Sequence, residues 1–237
     1  MISFSSGVQQ TTAGSSFLSG PGKAGSTARF AIYGDNLYTL ESWELGVFSI
    51  GATTDFIRDE QLRWNAETLF PAQDLLFIGT TTGMIIYDLS NPSNPNFVSE
   101  YWHWTGCDPV VVDGNRAYVT LATGRTCNGN QNVLQVIDIS ILTAPTMIAE
   151  YPMIQPKGLG TDGELLFVCD GPDGLKAYDR TNDHTIQQNR LGHFPNITAS
   201  DVIPWNGILI MTAEEGIYQY DYTDPTNITQ VSLISAN

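Results

Sequence analysis

The segment LQVIDI, residues 134–139, is a short apolar strand that ends in aspartate, and related segments recur along the chain. They are LGVFSI (45–50), MIIYDL (84–89), LKAYDR (175–180) and IYQYDY (217–222). The equivalent positions Ser49, Asp88, Asp138, Asp179 and Asp221 are spaced by 39, 50, 41 and 42 residues. A period of about 40 residues is typical of the four-stranded blades of a β-propeller, so the sequence predicts five such repeats.

Each repeat contains four predicted strands in the same order. The first strand ends at a turn such as Asp113-Gly114, and the second is rich in aromatic and β-branched residues, as in LLFVCD (165–170). The third is the aspartate-terminated strand, and the fourth follows a polar turn such as SNPSNP (90–95). Helical solenoids have similar periods, but Gly, Pro and Asn-Asp clusters interrupt any amphipathic helix here. We therefore predict an all-β fold, a β-propeller of about five four-stranded blades.

Composition limits the domain organisation and the partners. Residues 1–27 are rich in Ser, Thr and Gly and predict a flexible leader or long loop, and residues 28–237 predict a single propeller domain. Ten basic and 25 acidic residues give a net charge of −15, which repels phosphate backbones and anionic lipids. No apolar run is long enough to span a bilayer. We expect neither nucleic-acid binding nor direct membrane insertion.

The segments LQVIDIS, MIIYDLSNPSNP and VVVDGNRAYVT resemble the LVIVD-repeat β-propeller family of bacterial proteins. The resemblance covers roughly residues 24–234 and is closest to uncharacterised secreted or lipid-anchored members. Members of that family often carry further repeats upstream. The resemblance therefore allows this chain to be part of a larger propeller. Two repeats depart from the pattern, one with Ser49 in place of Asp and one with Thr181 to His184 in place of the Ser-Asn-Pro turn. The resemblance implies a fold and no activity.

The cysteines bear on the cellular compartment. Cys107 begins repeat three and Cys127 lies in the insertion after its second strand, on the same side of the blade once the chain turns at Asp113-Gly114. We predict a disulfide between them, the alternative being two free thiols in a reducing cytosol. Cys169, in an apolar strand, is predicted to be buried and inert. No secretory signal is visible in this chain, but the disulfide favours the periplasm, the cell surface or secretion.

A candidate site arises from the position just before each first strand. In a propeller these positions gather at one mouth of the channel. They are occupied by Ala28 or Arg29, Glu67, Asp108, Lys157 and Asp201. Three carboxylates with one or two cations are suited to a polar ligand, or to a Ca²⁺ or Mg²⁺ ion, although no cofactor is otherwise predicted. The alternative is structural, because carboxylates at strand starts accept hydrogen bonds from neighbouring backbone N–H groups.

Two tryptophans provide a second candidate feature. Trp102 and Trp104 precede Cys107, and we predict that they lie in a loop at the channel mouth. Aromatic side chains there can stack on a sugar ring or a peptide, the alternative being packing between blades.

The sequence contains no catalytic motif of the kinds that local spacing reveals. The leading functional prediction is a non-enzymatic extracellular or cell-surface binding module with a protein or carbohydrate ligand. The alternative is a hydrolase or lyase that uses Glu67, Asp108 and Asp201 at the channel mouth, with or without the help of a metal ion. A purely structural part of a larger surface protein is a third prediction. How the ring of blades closes is left open by the sequence.

Overall fold

The computed structural model describes residues 25–102, 109–123 and 131–236, and all regular elements in these ranges are β-strands. The strands form five four-stranded sheets, named blades 1 to 5 in chain order. Blade 1 contains β1 (Phe30–Tyr33), β2 (Asn36–Glu41), β3 (Glu44–Ile50) and β4 (Thr54–Gln61). Blade 2 contains β5 (Ala66–Ala72), β6 (Leu75–Thr80), β7 (Gly83–Asp88) and β8 (Asn96–Trp102). Blade 3 contains β9 (Val110–Asp113), β10 (Arg116–Leu121), β11 (Val133–Asp138) and β12 (Thr146–Pro152). Blade 4 contains β13 (Leu159–Asp162), β14 (Leu165–Cys169), β15 (Leu175–Asp179) and β16 (Arg190–Phe194). Blade 5 contains β17 (Ala199–Trp205), β18 (Ile208–Ala213), β19 (Gly216–Asp221) and β20 (Thr229–Ser235).

Every blade is an antiparallel meander in which consecutive strands pair. A two-residue turn joins the first and second strands of each blade. The first residue of this turn has positive φ in all five blades: Gly34, Gln73, Gly114, Gly163 and Asn206. Tight hairpins favour such a backbone because its twist matches that of the strands. The predicted architecture of five four-stranded antiparallel units is therefore confirmed.

The aspartate that ends the third strand of the repeat has a local structural role. Its Oδ1 accepts a hydrogen bond from the backbone N–H two residues later in four blades, at 2.6 to 2.9 Å. The pairs are Asp88 with Ser90, Asp138 with Ser140, Asp179 with Thr181 and Asp221 with Thr223. This Asx-type bond fixes the turn into the fourth strand. Blade 1 has Ser49 here, whose hydroxyl donates to the carbonyl of Asp55 instead.

Apolar side chains are buried between consecutive blades. Four clusters join blade 1 to 2, 2 to 3, 3 to 4 and 4 to 5. In each junction a large residue of the second strand packs towards the following blade, for example Tyr38 in blade 1 and Phe77 in blade 2, both fully buried. Within the described ranges no fifth cluster joins blade 5 to blade 1. The core therefore lies in the four successive junctions.

The start of the described chain is attached to the array. Ser26 is fully buried, and its hydroxyl accepts a hydrogen bond from the backbone N–H of Leu159 in blade 4 at 2.7 Å. The remainder of the predicted leader, residues 1–24, lies outside the described residues. Among the described residues, no helix is long and apolar enough to cross a membrane.

Candidate functional site

The first strands of the blades surround the centre of the array. β1 contacts β5, β5 contacts β9, β9 contacts β13, and β13 contacts β17. These five strands run in the same sense because every blade has the same order of antiparallel strands. Their starts therefore lie at one end of the central channel and their turns at the other.

A cavity of about 460 Å³ lies at the end where the inner strands start. Arg29 of blade 1, Glu67 of blade 2, Lys157 before blade 4 and Asp201 of blade 5 all line it. The structure thus brings together four of the five charged residues that the sequence placed before the first strands, at a channel mouth. The fifth, Asp108, lies outside the described residues, although its neighbour Pro109 lines the cavity.

The two cations at this mouth are weakly engaged by the protein. The Lys157 backbone is fixed, because its N–H donates to the carbonyl of Cys169 and its own carbonyl accepts from the hydroxyl of Thr120. Its side chain is half-buried and makes no ion pair or hydrogen bond within the part of the chain that is described. The guanidinium of Arg29, which is exposed, donates one long hydrogen bond of 3.3 Å to the carbonyl of Leu40. As far as the described residues show, both cations keep N–H donors that a ligand could engage.

Asp201, in contrast, is held by several hydrogen bonds. Its carboxylate accepts from the hydroxyl of Ser26 at 3.1 Å and from the hydroxyl of Thr27 at 2.6 Å. The backbone N–H groups of Thr27 and Val202 donate to it at 3.3 and 2.9 Å. Position 158 requires glycine, because a Cβ atom there would overlap the Asp201 carboxylate. Asp201 consequently has a structural role in addition to lining the cavity.

Trp102 is not close to this cavity. It ends β8, the outermost strand of blade 2, and pairs with Gly83 of β7. Three strand spacings, about 14 Å, separate the outer strand from the inner strand of a blade. Trp102 is half exposed at the outer rim, so the channel-mouth position expected from the sequence is corrected for this residue. Trp104 lies outside the described residues.

Of the three cysteines, the structure describes Cys169. Cys107 and Cys127, the predicted disulfide partners, lie outside the described residues. Cys169 is fully buried in β14, and burial raises the pKa of its thiol well above the ordinary value. The thiol is therefore protonated and inert at neutral pH, as predicted.

A metal ion at the channel mouth stays a prediction. In the described ranges no group of three or more His, Cys, Asp or Glu side chains is arranged to hold a metal ion. The predicted set of carboxylates includes Asp108, which is outside those ranges.

Two features of the channel were not predicted from the sequence. Ser26 and Thr27, which the sequence assigned to a leader, bind Asp201, and the only signal was a Ser-Thr pair next to the first strand. A second cavity, of about 370 Å³, lies at the turn end of the inner strands. Its walls include Phe70, Val112 and Leu159, which in the sequence were indistinguishable from core residues.

Part of the chain matches a known repeat family. The sequence profile described as LVIVD repeat matches residues 73–102 and 107–152. These two segments carry LVIVD repeats. The first LVIVD match runs from the turn before β6 to the end of β8, and the second extends through the four strands of blade 3. The family prediction made from LQVIDIS and MIIYDLSNPSNP is confirmed over these residues. A search of curated proteins finds no match to the sequence.

Solved structures resemble the five-blade array at low sequence identity. A functionally unknown protein from Desulfotomaculum acetoxidans is 12% identical, with a TM-score of 0.63, 86% of this chain covered and 67% of the other. The periplasmic gluconolactonase of Pseudomonas aeruginosa is 11% identical, with a TM-score of 0.62, 85% of this chain covered and 68% of the other.

A chain in the Mitotic Checkpoint Complex is 13% identical, with a TM-score of 0.64, 86% of this chain covered and 62% of the other. At such identities the similarity shows the propeller fold alone. This chain spans between 59 and 68% of the length of these and other similar structures.

Proposed function

We propose that the LVIVD-repeat propeller is a non-enzymatic binding module whose ligand occupies the cavity at the starts of its inner strands. The observation that carries the proposal is that charged side chains from four different places in the array line one cavity. Rigid blades hold these side chains, and rigid scaffolds with variable loops suit recognition.

The charges at the cavity favour a ligand with an anionic group. Lys157 and Arg29 make no ion pair with the described residues, whereas the Asp201 carboxylate already accepts four hydrogen bonds. A carboxylate or similar group on the ligand would gain charge-assisted hydrogen bonds from the two cations. Glu67, which lines the same cavity, can accept hydrogen bonds from hydroxyl or amide groups of that ligand. An acidic glycan or an acidic peptide segment has both kinds of group.

The proposal is tested by screening the protein on glycan and peptide arrays and measuring the affinity of the hits by calorimetry. We expect Lys157→Met to weaken binding at least about tenfold, because the substitution keeps the alkyl stem and removes one charge-assisted contact. The matched control is Arg190→Met, which removes an exposed cation from β16 on the outer strand of blade 4. Equal affinity in the two variants and the wild type would remove the cavity from the binding site.

The fold is compatible with other classes of function. One similar structure is a gluconolactonase and another belongs to the Mitotic Checkpoint Complex, so propellers of this shape occur in an enzyme and in a protein assembly. The hydrolase or lyase alternative predicts that a bound ligand is cleaved during incubation. Product formation that is lost in Asp108→Asn would support that alternative over a binding module.

We further propose that the chain works in the periplasm, at the cell surface or outside the cell. The proposal is supported by the spacing of Cys107 and Cys127, which suits a disulfide bond. Labelling of free thiols in the unfolded, non-reduced protein tests this. One labelled cysteine, Cys169, is expected among the three of the chain. Three labelled cysteines in protein isolated from its native source would contradict an oxidising location.

A further inference from the structure

The cavity at the turn end of the inner strands is large enough to hold a small molecule. This turn-end cavity, of about 370 Å³, is bounded by β5, β9, β13 and β17 and by the turns that follow them. Pockets that bind small molecules have volumes of about 300 to 1,000 Å³. The turn-end cavity lies at the opposite end of the channel from the cavity lined by Lys157 and Asp201. The two cavities share no lining residue.

Most of the wall is apolar, and one part of it is aromatic. Phe70 of β5 is half-buried and packs against both the cluster between blades 2 and 3 and the cluster between blades 3 and 4. Its ring therefore lies where two junctions meet. The other apolar lining residues include Pro71, Val112, Leu159, Ile203 and Pro204. Such a wall suits an apolar ligand body, and the face of a phenylalanine ring attracts cations.

The charged side chains that line the turn-end cavity are both carboxylates, Asp113 at the end of β9 and Asp162 at the end of β13. Asp113 pairs with Arg180, which does not line the cavity, and Asp162 accepts a hydrogen bond from the Tyr222 hydroxyl at 2.6 Å. A carboxylate can accept about four hydrogen bonds, so a single partner does not saturate it. In the ranges that the structure describes, no lysine or arginine lines this cavity. Its charge therefore favours a cation.

The backbone of the wall also favours a ligand that donates hydrogen bonds. The N–H of Leu69 on β5 donates to the carbonyl of Ala28, outside blade 2, at 2.8 Å. The backbone at Leu69 thus faces away from β6, and two residues later Pro71 faces the same way. Pro204 has the equivalent position in β17. Because proline has no N–H, both positions provide a carbonyl acceptor and no donor at the inner edge of the blade.

We propose that the turn-end cavity binds a small primary amine, with the apolar body of the ligand against Phe70 and its ammonium group at Asp113 and Asp162. An ammonium group has three donors and no acceptor, which matches a wall of carboxylates and carbonyls. A neutral ligand of the same shape would gain no charge-assisted hydrogen bond. The two ends of the channel thereby select opposite charges, since Arg29 and Lys157 line the other cavity.

The test compares two probes that have the same skeleton, phenylbutylamine and phenylbutanol, by calorimetry at neutral pH. The wild type should bind the amine at least about tenfold more tightly than the alcohol, because only the ammonium group gains charge-assisted hydrogen bonds. Added salt should weaken binding of the amine and leave that of the alcohol unchanged. Equal affinity for the two probes, or no binding of the amine at about 10 mM, would overturn the proposal.

The variant Asp162→Asn tests the position of the ammonium group. Asparagine keeps an oxygen that accepts from the Tyr222 hydroxyl and removes the charge, so we expect a folded protein whose affinity for the amine alone falls about tenfold. The matched control, Glu164→Gln, removes the same charge from an exposed side chain outside the lining and should bind like the wild type. Equal losses in both variants would show that the net charge of the protein attracts the amine, against the proposal.

The variant Thr161→Phe tests the position of the apolar body. Thr161 lines the turn-end cavity and is partly exposed, so a larger side chain there can fill the cavity. Both probes should bind at least about tenfold more weakly to this variant, with circular dichroism as the check of folding. Undiminished binding would place the probes elsewhere and overturn the proposal. If the variant does not fold, Asp162→Asn and the two probes decide the question. Neither result bears on the binding assay at Lys157, which concerns the other cavity.

Discussion

The hydroxyl of Thr27 donates a hydrogen bond to Oδ2 of Asp201 across 2.6 Å, although 174 positions separate the two residues in the chain. The bond joins the segment before blade 1 to the inner strand of blade 5. Ser26 strengthens the same link, since its hydroxyl donates to Asp201 and accepts from the N–H of Leu159. The two ends of the array are therefore connected by polar contacts at the channel mouth.

Removing the Ser26 hydroxyl should destabilise the protein. Ser26→Ala leaves the buried N–H of Leu159 without its acceptor, and we expect the free energy of unfolding to fall by about 1 to 3 kcal/mol in urea titrations. The matched control is Ser235→Ala, an exposed position on β20. Equal stability of the two variants would show that the segment before blade 1 does not hold the array together.

The strand-end aspartates should make the protein sensitive to acid. Hydrogen bonds from the backbone of Ser90 lower the pKa of Asp88, and those from the hydroxyl and backbone of Ser140 lower the pKa of Asp138. Asp179 and Asp221 have lowered pKa values for the same reason. A carboxyl whose pKa is lower in the folded state stabilises the fold above its unfolded pKa, and this contribution is lost as the pH falls through the folded pKa.

We therefore expect the free energy of unfolding to decrease as the pH falls below about 4, the ordinary pKa of aspartate. Asp138→Asn combined with Asp179→Asn should make this decrease shallower in urea titrations at several pH values. Glu164→Gln, which changes an exposed carboxylate at a turn, should leave it unaltered. An unchanged acid limb in the double variant would exclude these aspartates as its source.

Lys176 should be essential for stability. Its ammonium binds the fully buried carboxylate of Asp170 at 2.5 Å and that of Asp173 at 2.7 Å. Burial tends to lower the pKa of Lys176, but the hydrogen bonds with the two aspartates outweigh burial and raise it. Lys176→Met leaves Asp170 buried without its counter-ion, and we expect a loss of about 3 kcal/mol in the free energy of unfolding.

The control for that experiment is Lys157→Met, the variant designed for the binding assay. Because the Lys157 ammonium makes no ion pair with the described residues, its removal should leave the unfolding free energy nearly unchanged. A small effect at Lys176, similar to that at Lys157, would contradict the assignment of a stabilising buried pair.

Tyrosine hydroxyls should contribute to the blade junctions. Tyr38 is fully buried in blade 1, and its hydroxyl donates to the carbonyl of Pro92 in blade 2 at 2.7 Å. We expect Tyr38→Phe to lower the free energy of unfolding by about 1 kcal/mol, because the carbonyl loses a buried donor. Tyr218→Phe removes a hydroxyl that has no hydrogen-bond partner in the described ranges and should have a smaller effect. The reverse order would show that the junction does not depend on this bond.

The fold was predictable because its determinants are local and repeated. The aspartate at the end of the third strand binds a backbone N–H only two residues away, so its spacing along the sequence marks each blade directly. The turn between the first two strands is equally local, as the positive φ of Gly114 and Asn206 shows. These short-range requirements leave a signal in every copy of the repeat.

The candidate site was only partly predictable because it depends on distant parts of the chain. Aligning the turns was sufficient to place Lys157 and Asp201 at one cavity, since equivalent positions of a radial array meet. The predicted position of Trp102 at the channel mouth was wrong, because the order of strands along the sequence does not show how far from the propeller axis an outer strand ends. The exposure of Ile210 and Leu37 was not predictable either, because both side chains are as apolar as the equivalent residues that are fully buried in other blades.

The repeated junction has a consequence for how such a gene can change. Since each blade presents one kind of face forwards and one kind backwards, duplicating or deleting a whole unit leaves every remaining neighbour with a surface that it already accepts. Unequal recombination between copies would then alter the number of units without damaging the hydrophobic interior. Selection could act on array length almost independently of selection on stability.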